Sequence, residues 1–138
     1  PVVGCNAYIL NDSGLTATVN AFAEEFGSLD LKIVDCALYY ECPYTSVGHI
    51  LIIFNALYVP TMTNNLISPF IMREAGIEVR DIPKIQMKNP TIEDQSIYFS
   101  GPNLRIPLSL NGIFSYFPTR RPTMADCTPC TFRLRLIL

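Results

Sequence analysis

Residues 31–59 read LKIVDCALYYECPYTSVGHILIIFNALYV, and the way this stretch divides decides the fold. No apolar run within it approaches the length of a membrane helix. Its most apolar part, HILIIFNALYV, is interrupted by Asn55 and falls short of the ~18 or more apolar residues that a spanning helix needs. Read as two segments, it gives strands near Leu31–Tyr40 and Gly48–Val59, because β-branched and aromatic residues fill both and Pro43 and Gly48 stand between them. The same pattern recurs on either side. Further strands are expected near Ala7–Asn11, Ile77–Val79, Ser96–Phe99, Leu104–Leu110 and Ile113–Phe117, and eleven prolines keep them short. Between the last two, Asn111-Gly112 predicts a type I′ hairpin turn.

Helical spacing occurs in two places. TVNAFAEEF puts Val19, Phe22, Ala23 and Phe26 on one face, and NNLISPFIMREAG does the same for Leu66, Phe70 and Ala75. The second has an Asn start and a Gly76 stop, and it tolerates Pro69 in its first turn if it begins near Ser68. After Arg121 the composition changes, and the closing TFRLRLIL suits either an edge strand or a frayed end. The expected class is mostly β with one or two short helices.

A length of 138 residues is that of one domain, and a 49% hydrophobic share excludes a disordered chain. The net charge of −2 leaves no basic footprint for nucleic acid, with cations clustered only at Arg120-Arg121 and Arg133/Arg135. Neither direct DNA or RNA binding nor a membrane span is expected. The chain starts at Pro1 without an initiator Met or a signal-peptide pattern, which fits an excerpt of something longer. Five cysteines at irregular spacing argue for reduced thiols in an intracellular, cytoplasmic setting and against a disulfide framework. Cys127 and Cys130 have the spacing of half a zinc knuckle or a redox pair, but a structural zinc site needs four ligands and His49, the one histidine, lies far from them, so they are read as incidental thiols in a tail and no metal and no cofactor is expected. His49 has no partner at motif spacing and is read as an ordinary strand residue, and Glu24-Glu25 as a solvated face. Tyr39-Tyr40 and Tyr116-Phe117 read as the core and rim of a β-domain.

One triplet carries possible chemistry, Asp12-Ser13-Gly14 in ILNDSGLTAT. Asp, Ser and Gly are ordinary turn formers. They also suit an aspartic protease, which holds two carboxylates so close that they share a proton and act together as base and acid on a water and a peptide carbonyl. In such a loop the hydroxyl bonds across to a partner loop, while Gly lets backbone N–H groups approach the carboxylate.

The order of blocks ILNDSG and ALYVPTMTNNLISPFIMREAGIEV resembles the protease region of copia-type retrotransposon polyproteins. In that family a D-S-G loop is followed, some tens of residues on, by a strand ending Y-V-P, then N-L-[IL]-S, a short helix and a Gly. The matching residues are Asp12-Ser13-Gly14, Tyr58-Val59-Pro60, Asn65-Leu66-Ile67-Ser68 and Gly76. The stretch VRDIPKIQMKNPTIEDQSIYFSGPNLRIPLSLNGIFSYFPTRRPT is similar to sequence that follows the motif in copia-like elements of some algae and other microbial eukaryotes. The resemblance spans about residues 5–123; residues 1–123 are therefore expected as one domain and residues 124–138 as a tail.

The resemblance implies a retropepsin-like acid-protease barrel with Asp12 as catalytic residue, Ser13 and Gly14 supporting the active loop, and Val47 and Gly48 in a flap around CPYTSVG that touches substrate. NNLIS would begin the segment facing the active loop. Since Asp30, Asp35, Asp81, Asp94 and Asp126 lack the D-[ST]-G context, the second carboxylate would come from another copy in a symmetric homodimer. The substrate implied is a peptide of the element's own polyprotein, and the setting a virus-like particle if the element is active. Two positions depart from the family pattern: Leu15 stands where a small residue is usual, and Asn11 where an apolar one is. Both suit the alternative of a non-catalytic remnant that dimerises or binds peptide. A more remote alternative is a structural polyprotein segment whose working part is residues 81–118, with Asp12 only a turn.

Overall fold

The computed structural model describes residues 1–20, 25, 27–127 and 132–136. Among these the chain is mostly β, with one short α-helix and three open sheets. The strands are β1 (Val2–Val3), β2 (Tyr8–Asn20), β3 (Ser28–Glu41), β4 (Gly48–Tyr58), β5 (Glu78–Arg80), β6 (Ser96–Phe99), β7 (Leu104–Pro107), β8 (Ser109–Asn111), β9 (Phe114–Tyr116) and β10 (Phe132–Leu136). The helix α1 spans Pro69–Glu74.

The main sheet has the order β1-β4-β3-β2, with β10 also paired to β4. β2, β3 and β4 form a long antiparallel meander, whereas β1 and β10 run parallel to β4. β1 pairs with Leu57 and Tyr58, and β10 with His49–Ile53, so the two short strands serve opposite ends of one β4 edge. The closing alternating segment is thus an edge strand in its backbone pairing.

The second sheet, β5-β6-β7, is antiparallel throughout. Alternation sorts its residues: Leu104 and Ile106 are buried, whereas Arg105 turns outward over the Tyr98 ring at 4.6 Å. One core joins both sheets and the helix, with Val34, Cys36, Leu38, Leu51 and Ile53 from the main sheet meeting Met72, Val79, Ile97 and Ile106. A period of two along each strand produces this inward set.

Several expectations are corrected in detail. The helical spacing at Val19 does not yield a helix there: Val19 pairs with Leu29 and β2 runs on to Asn20. The partner strand and a Thr18–Asp30 hydrogen bond of 2.6 Å override a weak local pattern. Phe22, Ala23 and Phe26 lie outside the described residues. Pro69 does occupy the first turn of α1 behind Ser68, and Gly76 ends it at φ +80°. Its buried residue, however, is Met72, while Leu66 and Phe70 are exposed. A six-residue helix presents less than two turns. Leu66 precedes it and exchanges backbone hydrogen bonds with Val2 instead.

The Asn-Gly hairpin forms, but with a different turn. Asn111 pairs with Phe114 as the last strand residue, which leaves Gly112 and Ile113 as the two-residue loop. Only Gly112 of the two has positive φ, at 62°, the pattern of a type II′ turn with Gly first. The expected strand over Leu104–Leu110 is split after Pro107, where the Leu108 amide turns to the Gln95 carbonyl.

Tyr40 is 2% exposed, its ring edge-on to Phe117 with centroids 5.8 Å apart, yet its buried hydroxyl has no hydrogen-bond partner among the described residues. Tyr40→Phe keeps the ring contacts and removes a polar group that lost its water on folding. A gain of about 1 kcal/mol is expected in urea unfolding. A loss of that size would mean that the hydroxyl is bonded.

Candidate active site

The Asp-Ser-Gly triplet lies inside β2, at a bulge in its pairing with β3. Asp12 stands opposite Val34 and Thr16 opposite Lys32, so Ser13, Gly14 and Leu15 together face the single residue Ile33. Extra residues on one strand must leave the ladder, and the bend needs a residue that tolerates positive φ. Gly14 supplies it at φ 75°.

The loop is held by its own side chains. The Gly14 amide donates to Asp12 Oδ1 at 3.0 Å, an Asx-type turn. Ser13 Oγ donates to the Ile33 carbonyl at 2.7 Å and accepts from the Leu15 amide at 3.2 Å. Lys32 Nζ lies 3.2 Å from Asp12 Oδ2. The Gly14 hydrogen bond first, and Lys32 second, hold the Asp12 carboxyl below the usual carboxylate range. Asp12 is therefore an ionised, solvent-facing group, with 44% of its side chain exposed. Turn residue and presented carboxylate describe the same geometry.

Lys32 is the site neighbour that motif reading missed. Its signal lies in the register alone, since Asp12 and Lys32 meet only when β2 folds back on β3. Leu15 is 64% exposed, and along β2 only Ile9 and Ala17 are half-buried, so the triplet sits on an open apolar-and-polar face. Asn11 pairs with Asp35.

The other aspartates have local tasks. Asp30 accepts from Thr18, Asp35 from the Asn55 amide at 3.0 Å, Asp81 pairs with Arg73 at 2.8 Å, and Asp94 accepts from the Thr91 amide at 2.8 Å. Asp126 is gripped by Arg120.

Val47 and Gly48 sit at the far end of β3 from the triplet. The β3–β4 connection closes through Cys42 N–H to the Val47 carbonyl at 2.9 Å and Ser46 N–H to the Cys42 carbonyl at 2.8 Å, with Ser46 at φ 56°. Gly48 pairs with Glu41 and lies so close to the Tyr39 ring that a Cβ there would come within 2.7 Å of two ring carbons. From Val34, opposite Asp12, to Cys42 the strand runs for roughly 26 Å, so within one chain the hairpin tip and the triplet are well separated. NNLIS lies along the N-terminal segment: Asn65 Oδ1 accepts from the Gly4 amide at 2.9 Å, and Leu66 bridges Val2.

His49 is 6% exposed, faces Tyr40 across the β3–β4 pair, and burial lowers its pKa. Burial, with Asp35 adjacent, pushes the Cys36 thiol up to about 12, so Cys36 is an inert core residue. Among the described residues, no group of three or more His, Cys, Asp or Glu is placed to hold a metal ion. Cys130 lies outside the described residues. No helix among them is long and apolar enough to cross a membrane. Compared with protein families, curated proteins and solved structures, the chain matches none.

Proposed function

We propose that the chain is an aspartic endopeptidase domain of a retroelement polyprotein, active as a homodimer in which two copies of Asp12 share a proton and activate a water. One observation carries the reading: the Asp12 carboxylate is displayed on a Gly-shaped bulge, oriented by the Gly14 amide, with Ser13 tying the loop to the neighbouring strand. This is the local equipment that a paired-carboxylate site requires. The finer architecture, an acid-protease-like barrel completed by a second copy, belongs to the same reading. So does the substrate, an extended polyprotein peptide bound through its backbone beneath the Val47-Gly48 hairpin.

In a single copy, Lys32 neutralises Asp12, which opposes proton sharing. A second Asp12 must therefore displace Lys32 as the nearest charged neighbour. Cleavage should accordingly track dimer population. The test is peptide-library cleavage by the purified chain from about pH 4 to 7, with sedimentation of the same samples. Cutting that rises with the dimer supports the reading, and a folded dimer that cuts nothing overturns it for this chain. The second reading, a non-catalytic module that dimerises or binds peptide, is favoured by Lys32 at Asp12 and by the exposed bulk of Leu15.

A further inference from the structure

The pairing of β2 with β3 begins at Tyr8 and Ala37. Past that point a later segment of the chain takes the same edge of β3. Arg120 forms an antiparallel bridge with Tyr39, the Tyr39 amide donating to the Arg120 carbonyl at 2.8 Å and the Arg120 amide to the Tyr39 carbonyl at 3.0 Å.

The side chains reinforce this bridge. The Arg120 guanidinium stacks 3.8 Å from the centre of the Tyr39 ring, the ring that also lies against Gly48. Its two terminal nitrogens grip both oxygens of Asp126 at 2.7 and 2.8 Å, and Asp126 also accepts from the Thr123 amide at 2.6 Å. Nearby, Phe117 meets Tyr40 edge-on, and Arg121 lies 5.4 Å over the Tyr8 ring at the start of β2. An open groove of about 430 Å³ runs beside the bridge, with Glu41, Cys42 and Ser46 on the hairpin side and Pro118 and Thr119 on the other.

We propose that residues 117–126 are a latch: they occupy in cis a strand-addition site on the β3 edge at Tyr39, with Arg120 as the inserted key, and so hold the Cys42–Val47 hairpin tip closed. The ligand class of the site follows from its occupant, an extended polypeptide that offers one backbone N–H and C=O to Tyr39 and an arginine to its ring. Several features make the latch more than a surface coincidence. It combines a paired backbone bridge, a stacked cation and a fork-like carboxylate grip within one short segment, and it crosses to an edge that the sheet otherwise leaves to an incoming strand. Releasing it leaves the tip to the hydrogen bonds around Cys42, Ser46 and Val47 and to the Glu41–Gly48 and Tyr40–His49 pairs at the end of the β3–β4 ladder. The inference is independent of proteolysis, since it concerns binding and hairpin opening alone.

The test uses hydrogen exchange on the full chain, on Arg120→Ala and on Asp126→Asn, together with a labelled peptide FPTRRPTMAD added in trans. Both variants should speed exchange of the Tyr39 amide and of residues 42–48 by about tenfold or more, while the β6 amides keep the parent rate. The peptide should bind Arg120→Ala at least about tenfold more tightly than it binds the parent, and its Arg→Ala version, altered at the position of Arg120, should not. Unchanged exchange at the tip in Asp126→Asn, or equal peptide affinity for parent and variant, would overturn the latch. If Arg120→Ala does not fold, Asp126→Asn carries both measurements, because it releases the guanidinium without altering the bridge residues.

Discussion

Asp12→Asn is expected to leave the fold intact and to lower peptide cleavage by on the order of 10³ or more, the usual consequence of removing a group that exchanges protons with the reacting atoms. Asn keeps an oxygen that can accept from the Gly14 amide, so the bulge retains its geometry. It forfeits only an ion pair with Lys32, which is exposed on both sides and contributes little to stability. Loss of activity with an unchanged circular dichroism spectrum therefore reports chemistry. Lys32→Met adds a second readout. Gly14 first and Lys32 second hold the Asp12 pKa below 3.8, so its stabilising share is present above that value and is lost as the pH falls through the folded-state pKa. Without Lys32 the carboxyl of a single copy titrates higher and the second Asp12 has no cation to displace, so Lys32→Met should form the dimer and cleave at lower protein concentration. Cleavage that persists in Asp12→Asn would assign the activity to another group and leave the triplet as a turn.

Ile53→Ala should cost about 3 kcal/mol or more of folding free energy, within the range for aliphatic truncation at fully buried sites. Ile53 is 0% exposed, stands opposite Cys36 in the β3–β4 register, and belongs to the cluster that joins the main sheet to β6 and β7. Neighbours on paired strands cannot collapse into the void without breaking ladder hydrogen bonds, so the transfer loss and the cavity loss add. Against a typical total of about 5–15 kcal/mol this is a large fraction. Urea unfolding of Ile53→Ala beside Ile85→Ala makes the comparison internal, since Ile85 is 87% exposed and its truncation should change little. Equal effects at the two positions would mean that the core is not where the structure puts it.

Local chemistry alone determined a good deal of this protein. Pro43 and Gly48 divide residues 31–59 into two strands because neither suits the interior of a central strand, and β6 falls on the expected Ser96–Phe99. Pro69 and Gly76 bound α1 because a fixed φ suits a first helical turn and a positive φ suits a stop. The turn of Asp12, Ser13 and Gly14 was legible for the same reason: the hydrogen bonds that shape the bulge, apart from those to Ile33 and Lys32, join residues within three positions of each other.

Register and long-range pairing lay beyond that reach. The span of β2 to Asn20, the shift of the hairpin turn to Gly112-Ile113, the approach of Lys32 to Asp12 and the insertion of Arg120 at Tyr39 all depend on which strand edge is free to accept which partner. Only the tertiary structure decided these, because a residue's own propensity is worth tenths of a kcal/mol, and a paired edge with its buried side chains outweighs it several times over.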